Sequence, residues 1–194
     1  FDYDSIKNIP DFKNFNKVLE FGAGSGRTSE TILTFNKNIK YVICDIPPAI
    51  YISYQRLKVA FPEKQINLLL EIDKKEELER SINKNDISFI FPHQIELISK
   101  KFFNLTLGIN CFHEMDKKTL KYYFKNIENI SEYFSFTVWN MALVPYSYTL
   151  FRKFGNSLIV DNNDYPIGKD WKIISKIPNI FPCNMIKLLY KLNS

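Results

Sequence analysis

The sequence predicts an α/β domain: a mostly parallel sheet of about seven strands with helices on both faces. Three observations carry that prediction. From Lys17 onward, short apolar runs alternate with amphipathic stretches, the order that successive βαβ units require. Runs such as Ile87-Ser-Phe-Ile-Phe91 are apolar almost throughout, as strands covered on both faces are. A chain of 194 residues, 45% hydrophobic and 24% charged, supplies one real core and scarcely two, so residues 1–194 read as one domain.

The elements follow in order. Val18 to Phe21 is the first strand, closed by Gly22-Ala-Gly-Ser-Gly26 and followed by a helix from Arg27 to Phe35. Tyr41 to Asp45 is the second. Pro47 and Pro48 then open a helix whose inward positions Ile50, Tyr54, Leu57 and Phe61 keep helical spacing until Pro62. Asp73-Lys-Lys-Glu76 resembles a capping box and starts a charged helix reaching Ile82. Strands are expected at Ile87–Phe91 and Phe103–Ile109. Asp116 is placed to cap a helix burying Leu120, Tyr123, Phe124, Ile127 and Ile130. Tyr133–Trp139 reads as the fifth strand, and Trp171–Ile177 with Met185–Leu192 as a closing antiparallel pair. Trp139 and Trp171 are expected in the core.

Composition excludes several classes. The net charge is +5, but pairs such as Lys74–Lys75 and Lys117–Lys118 sit beside Glu76, Glu77 and Asp116, the pattern of solvated helix faces rather than a nucleic-acid footprint. Three cysteines, none in a C-x-x-C pair, indicate neither a disulfide framework nor a zinc site, and a reducing, cytoplasmic setting is expected. No basic-then-apolar leader is visible. Residues 133–151 carry no charge and are long enough to cross a bilayer. Their serines, threonines and Pro145 argue for a buried strand and an aromatic loop instead, so no membrane span is expected.

In open α/β sheets, ligands bind beyond the carboxyl ends of the strands beside the first one. There the chain reads Glu20-Phe-Gly-Ala-Gly-Ser-Gly26, with three glycines where the backbone turns sharply and a ligand approaches without Cβ obstruction. The spacing is G-x-G-x-G with Arg27 next. A dinucleotide fingerprint wants glycine at 27, and a Walker loop wants a lysine before Ser or Thr.

An acid two residues before G-x-G-x-G resembles motif I of the class I S-adenosylmethionine (SAM) methyltransferases, whose fold is Rossmann-like. The resemblance implies SAM as cofactor, held by Glu20 and the Gly22, Ala23, Gly24 and Gly26 turn. Asp45, ending the second strand, is placed to accept the ribose hydroxyls, and Ile46 to cover a purine face. His93 and Gln94, after the third strand, stand where such folds hold the adenine edge. Asn110 begins the loop where the methyl group emerges. In that loop His113 is the candidate general base, with Glu114 to orient it. No metal is expected.

Several phrases go further: Tyr41-Val-Ile-Cys-Asp-Ile-Pro-Pro-Ala49, Phe91-Pro-His-Gln94, His113-Glu-Met115 and Asp164-Tyr-Pro-Ile167 with Trp171. Together with motif I they resemble a bacterial family of sugar O-methyltransferases, from about Val18 to Leu192. That implies methylation of a hydroxyl on a sugar, nucleotide sugar or capsule intermediate. It also implies a longer parent chain, with the covering N-terminal helix short or absent here. Tyr146, Tyr148, Phe151 and Arg152 are candidates for an acceptor-facing wall, and Asp164 is a weaker candidate base. Two rival readings are a non-catalytic SAM-fold scaffold and a nucleic-acid methyltransferase. Against the latter, its D-P-P-[YW] segment belongs after the fourth strand, where this chain reads Asn110-Cys-Phe-His113. Oligomeric state is not legible.

Overall fold

The computed structural model describes residues 2–139, 165–179 and 185–193. Its centre is one sheet of eight strands: β1 (Lys17–Phe21), β2 (Lys40–Cys44), β3 (Ile66–Leu68), β4 (Ile87–Ile90), β5 (Phe103–Ile109), β6 (Ser131–Trp139), β7 (Trp171–Asn179) and β8 (Met185–Leu192). They lie in the order β3-β4-β2-β1-β5-β6-β8-β7. The first six are parallel, and β8 runs antiparallel between β6 and β7. The eighth strand relative to the sequence expectation is β3, whose three residues are too few to show a period. Pro178 falls inside β7, where a missing N–H is tolerated because β7 is an edge.

Both faces are covered, as the apolar runs require. Helices α1 (Asp2–Lys7), α2 (Arg27–Phe35) and α3 (Ala49–Ala60) bury Ile6, Ile32, Leu33, Ile50 and Leu57 against one face. On the other face, α4 (Lys75–Lys84) and α5 (Lys117–Ile130) bury Leu78, Ile82, Leu120, Phe124, Ile127 and Ile130. Strand residues alternate accordingly: Val18 packs with the first group, Leu19 and Phe21 with the second. An aromatic cluster lies under α5. Phe112, Phe124, Phe134 and Phe136 meet there with ring centroids 4.8–6.0 Å apart, mostly edge to face, a geometry worth about 0.5–1.5 kcal/mol per pair beyond burial.

Two local expectations change. Asp116 does cap α5, accepting from the amides of Lys118 at 2.8 Å and Thr119 at 3.0 Å. Asp73, by contrast, does not cap α4: the helix begins after Lys74, and no side chain caps it. Trp171 is buried in the core, whereas Trp139 is only half-buried at the end of β6.

Candidate active site

The sheet positions the site. Strand order runs one way from β1 to β2 and the other from β1 to β5, so the loops after β1 and β5 part company at their carboxyl ends. Phe21 is level with both Cys44 and Gly108, which brings the segments beginning Gly22, Asp45 and Ile109 to one rim.

The glycine turn owes its composition to this rim. Gly22 has φ +62°, and a Cβ there would lie 2.5 Å from Cys111 Cβ. Gly24, at φ +56°, is different: a Cβ there would meet nothing within 4 Å. The first glycine is demanded by packing, and the second keeps open space free of a side chain. Gly26 then heads α2.

Two acids flank the turn. Glu20 lies on the α2 side of β1, almost fully buried, and its Oε2 accepts from Ser29 Oγ at 2.6 Å and Tyr41 OH at 2.8 Å. Burial first, then the Glu20 charge and hydrogen bond, push the Tyr41 phenol well above its ordinary value, so it stays a donor. Asp45 stands just past β2. Its Oδ2 accepts from Gly24 N at 3.0 Å and its Oδ1 from Ile46 N at 2.8 Å. Burial raises its carboxyl above the ordinary range, against the lowering effect of those two amides.

Two cavities meet at the turn, sharing Gly22, Gly24 and Asn110. The first, about 490 Å³, is lined by Glu20, Ala23, Arg27, Thr31, Ile109 and Tyr3 of α1 among others. The second, about 560 Å³, is lined by Asp45, Ile46, Pro92, Cys111, Met115 and Tyr123 among others. Both fall in the range of about 300–1,000 Å³ typical of small-molecule sites. Ile46, which lines the second cavity, is 60% exposed. Burial pushes the Cys44 and Cys111 thiols well up, so both line the second cavity as neutral groups.

The remaining candidates divide. Asn110 adopts φ +59° at the end of β5, where its amide donates to Thr137 O at 3.0 Å. Of the Pro92-His93-Gln94 turn, Pro92 lines the second cavity. His93 is exposed with its ring near Phe91. Gln94 is fully buried: Oε1 accepts from Phe91 N, and Nε2 donates to the carbonyls of Leu69 and Ile72, each at 2.7 Å. Its amide is committed to holding the β3–α4 connection against the end of β4.

His113 is buried, stacked on Trp139 with centroids 4.4 Å apart, and its Nδ1 has no hydrogen-bond partner. Burial holds the imidazole below its ordinary value. Glu114 is exposed on the second cavity and does not engage Nδ1. The ring is oriented by the Trp139 stack instead. Tyr146, Tyr148, Phe151, Arg152 and Asp164 lie outside the described residues. Reading the sequence for acids and glycines passed over Arg27, Tyr3, Met115 and Tyr123; Arg27 was legible as the cation directly after the glycine turn. Among the described residues, no group of three His, Cys, Asp or Glu is arranged to hold a metal ion, and no helix is long and apolar enough to cross a membrane.

Solved structures share this architecture. An O-methyltransferase family protein from Burkholderia thailandensis superimposes with TM-score 0.66 at 10% identity, over 98% of this chain and 55% of that one. The fold is that of the class I methyltransferases. This chain spans about half the length of that O-methyltransferase family protein. The N-methyltransferase NodS from Bradyrhizobium japonicum matches with TM-score 0.58 at 11% identity, over 93% of this chain and 87% of that one. A Burkholderia thailandensis 1,6-didemethyltoxoflavin N1-methyltransferase, solved with 1,6-didemethyltoxoflavin and S-adenosylhomocysteine, gives 0.59 at 12% identity, over 98% of this chain and 77% of that one. No family model and no curated protein matches the sequence. The same fold thus serves O- and N-methyltransferases, and the acceptor must be argued from the site.

Proposed function

We propose that this domain binds SAM and transfers its methyl group to a hydroxyl of a sugar or sugar-containing intermediate. The observation that carries the cofactor half is the pair of cavities meeting at Gly24, with a carboxylate on each side. The residues fit the molecule. Glu20 offers negative charge to an ammonium in the first cavity, and Arg27 in the same cavity offers a cation to a carboxylate. In the second, Asp45 keeps lone pairs beyond its two amide bonds for a diol, since each carboxylate oxygen accepts twice. Ile46, Pro92 and Met115 supply apolar surface for a flat base. The neighbour solved with S-adenosylhomocysteine supports the same cofactor.

When bound, SAM supplies a methyl on a sulfonium, a good leaving group, so the protein's work is alignment and proton removal. Asn110 stands at the junction of the two cavities, and His113 follows in the same loop. Held neutral by burial, the imidazole is the group suited to take the hydroxyl proton as the oxygen attacks. The sugar acceptor rests on the D-I-P-P-A, P-H-Q and H-E-M phrases and their likeness to sugar O-methyltransferases.

The test is transfer of labelled methyl from SAM to a panel of sugars, nucleotide sugars and capsule fragments, alongside amines of similar size. Labelling of hydroxyl acceptors only is the expected result. Labelling of amines only would overturn the oxygen assignment, and binding of S-adenosylhomocysteine without any transfer would favour a scaffold.

A further inference from the structure

The turn after β4, where the sequence placed the contact to a purine edge, supplies no side-chain hydrogen bond to the second cavity. Pro92 lines it and has no N–H, while neither His93 nor Gln94 is among its lining residues. Both ends of the Gln94 amide are spent on main chain. A base lying beyond Asp45 therefore has its edge read from another side.

The α5 side offers polar groups instead. Glu114, Met115, Thr119 and Tyr123 all line the second cavity, Thr119 and Tyr123 being one helical turn apart on the same face. Thr119 Oγ1 has its hydrogen committed to Asp116 Oδ2 at 2.8 Å. The Glu114 carboxylate and the Tyr123 hydroxyl make no hydrogen bond or ion pair among the described residues. The Tyr123 ring is held in place, its centroid 5.3 Å from those of Phe21 and Tyr122. Burial first, then Cys44 and Cys111 beside it, push the phenol up to about 12, so it stays a donor.

One group thus donates and the other, a carboxylate, can only accept. Adenine presents the complementary edge, a ring nitrogen that accepts beside an exocyclic amine that donates. Hypoxanthine carries a keto oxygen in place of the amine, and an oxygen facing the Glu114 carboxylate sets acceptor against acceptor.

We infer that Glu114 and Tyr123 select the adenine base of the cofactor from the α5 side, Glu114 accepting from the exocyclic amine and Tyr123 donating to a ring nitrogen, in place of the turn after β4. This rests on the SAM reading above and names the residues that choose its base.

Calorimetry with S-adenosylhomocysteine and S-inosylhomocysteine tests it, with Tm measured on each sample. The wild type is expected to bind the adenine compound about 10-fold or more tightly, the scale of a hydrogen bond to a charged group. Glu114→Gln is expected to bring the two affinities close together, because the amide can turn its NH₂ toward the keto oxygen. Tyr123→Phe keeps the ring and its packing, and is expected to bind S-adenosylhomocysteine about 3–10-fold more weakly at unchanged Tm. His93→Ala is expected to change neither affinity. Equal affinities in the wild type, an unchanged ratio in Glu114→Gln, wild-type binding by Tyr123→Phe or a ratio that moves in His93→Ala overturns the inference while leaving the cofactor reading intact. Absence of S-adenosylhomocysteine heat from the folded wild type overturns the cofactor reading, and this inference with it.

Discussion

The main-chain amide of Gly24 donates to Asp45 Oδ2 at 3.0 Å, and the other oxygen of that carboxylate accepts from Ile46 N. One side chain therefore ties the turn after β1 to the residue after β2, at Gly24, which lines both cavities.

Asp45→Asn tests it. The amide presents an NH₂ toward one of the two main-chain donors, so one bond becomes a donor–donor clash. A stability loss of about 1–3 kcal/mol is expected. S-adenosylhomocysteine affinity is expected to fall about 10-fold or more, because a diol loses its charged acceptor. Thermal unfolding and calorimetry on the same sample check both. Unchanged affinity would show that the ribose is held elsewhere.

The glycines separate packing from ligand access. Gly22→Ala puts a methyl 2.5 Å from Cys111 Cβ at a positive φ, so a loss of about 2–4 kcal/mol is expected from overpacking and backbone strain together. Adding Cys111→Gly removes the obstructing carbon and should recover part of it, a coupling readable in a double-mutant cycle. Gly24→Ala meets no protein atom within 4 Å. It should cost only the backbone strain of about 1–2 kcal/mol while lowering S-adenosylhomocysteine affinity. If Gly24→Ala binds as the wild type does, nothing occupies the space beside it.

These residues show what the sequence made legible. Strand runs, the glycine turn and both acids were readable because burial on two faces and tight turns leave local signatures. Gln94 was not. Its position after β4 suggested a ligand contact, but what it holds is Leu69 O and Ile72 O, more than twenty residues away, and only the folded chain shows such partners. Gln94→Leu is accordingly expected to leave Phe91 N and Ile72 O unpaired, and Leu69 O with only the long bond from Ile72 N, and to cost at least about 2 kcal/mol, lowering Tm by roughly 4–8 °C. Cofactor affinity, measured where the variant is folded, should change little. A selective loss of affinity at unchanged Tm would return Gln94 to the cofactor site.

His113 gives a pH signature. Burial lowers its folded-state value from the ordinary 6.5, so folding favours the neutral ring. The stability this contributes is fully present above pH 6.5 and is lost as pH falls through the lower folded-state value. For the same reason a base at His113 stays unprotonated below pH 6.5, and the acid limb of the kcat profile should lie below that point. His113→Gln should reduce kcat by about 10²–10⁴-fold with S-adenosylhomocysteine affinity nearly unchanged. Trp139→Leu supplies the control a structural histidine would fail. Removing the indole 4.4 Å from the imidazole rehydrates the ring, which should move the acid limb upward toward pH 6.5 while leaving the base in place. An acid limb that does not move in Trp139→Leu, or a His113→Gln variant that turns over normally, removes His113 as the base.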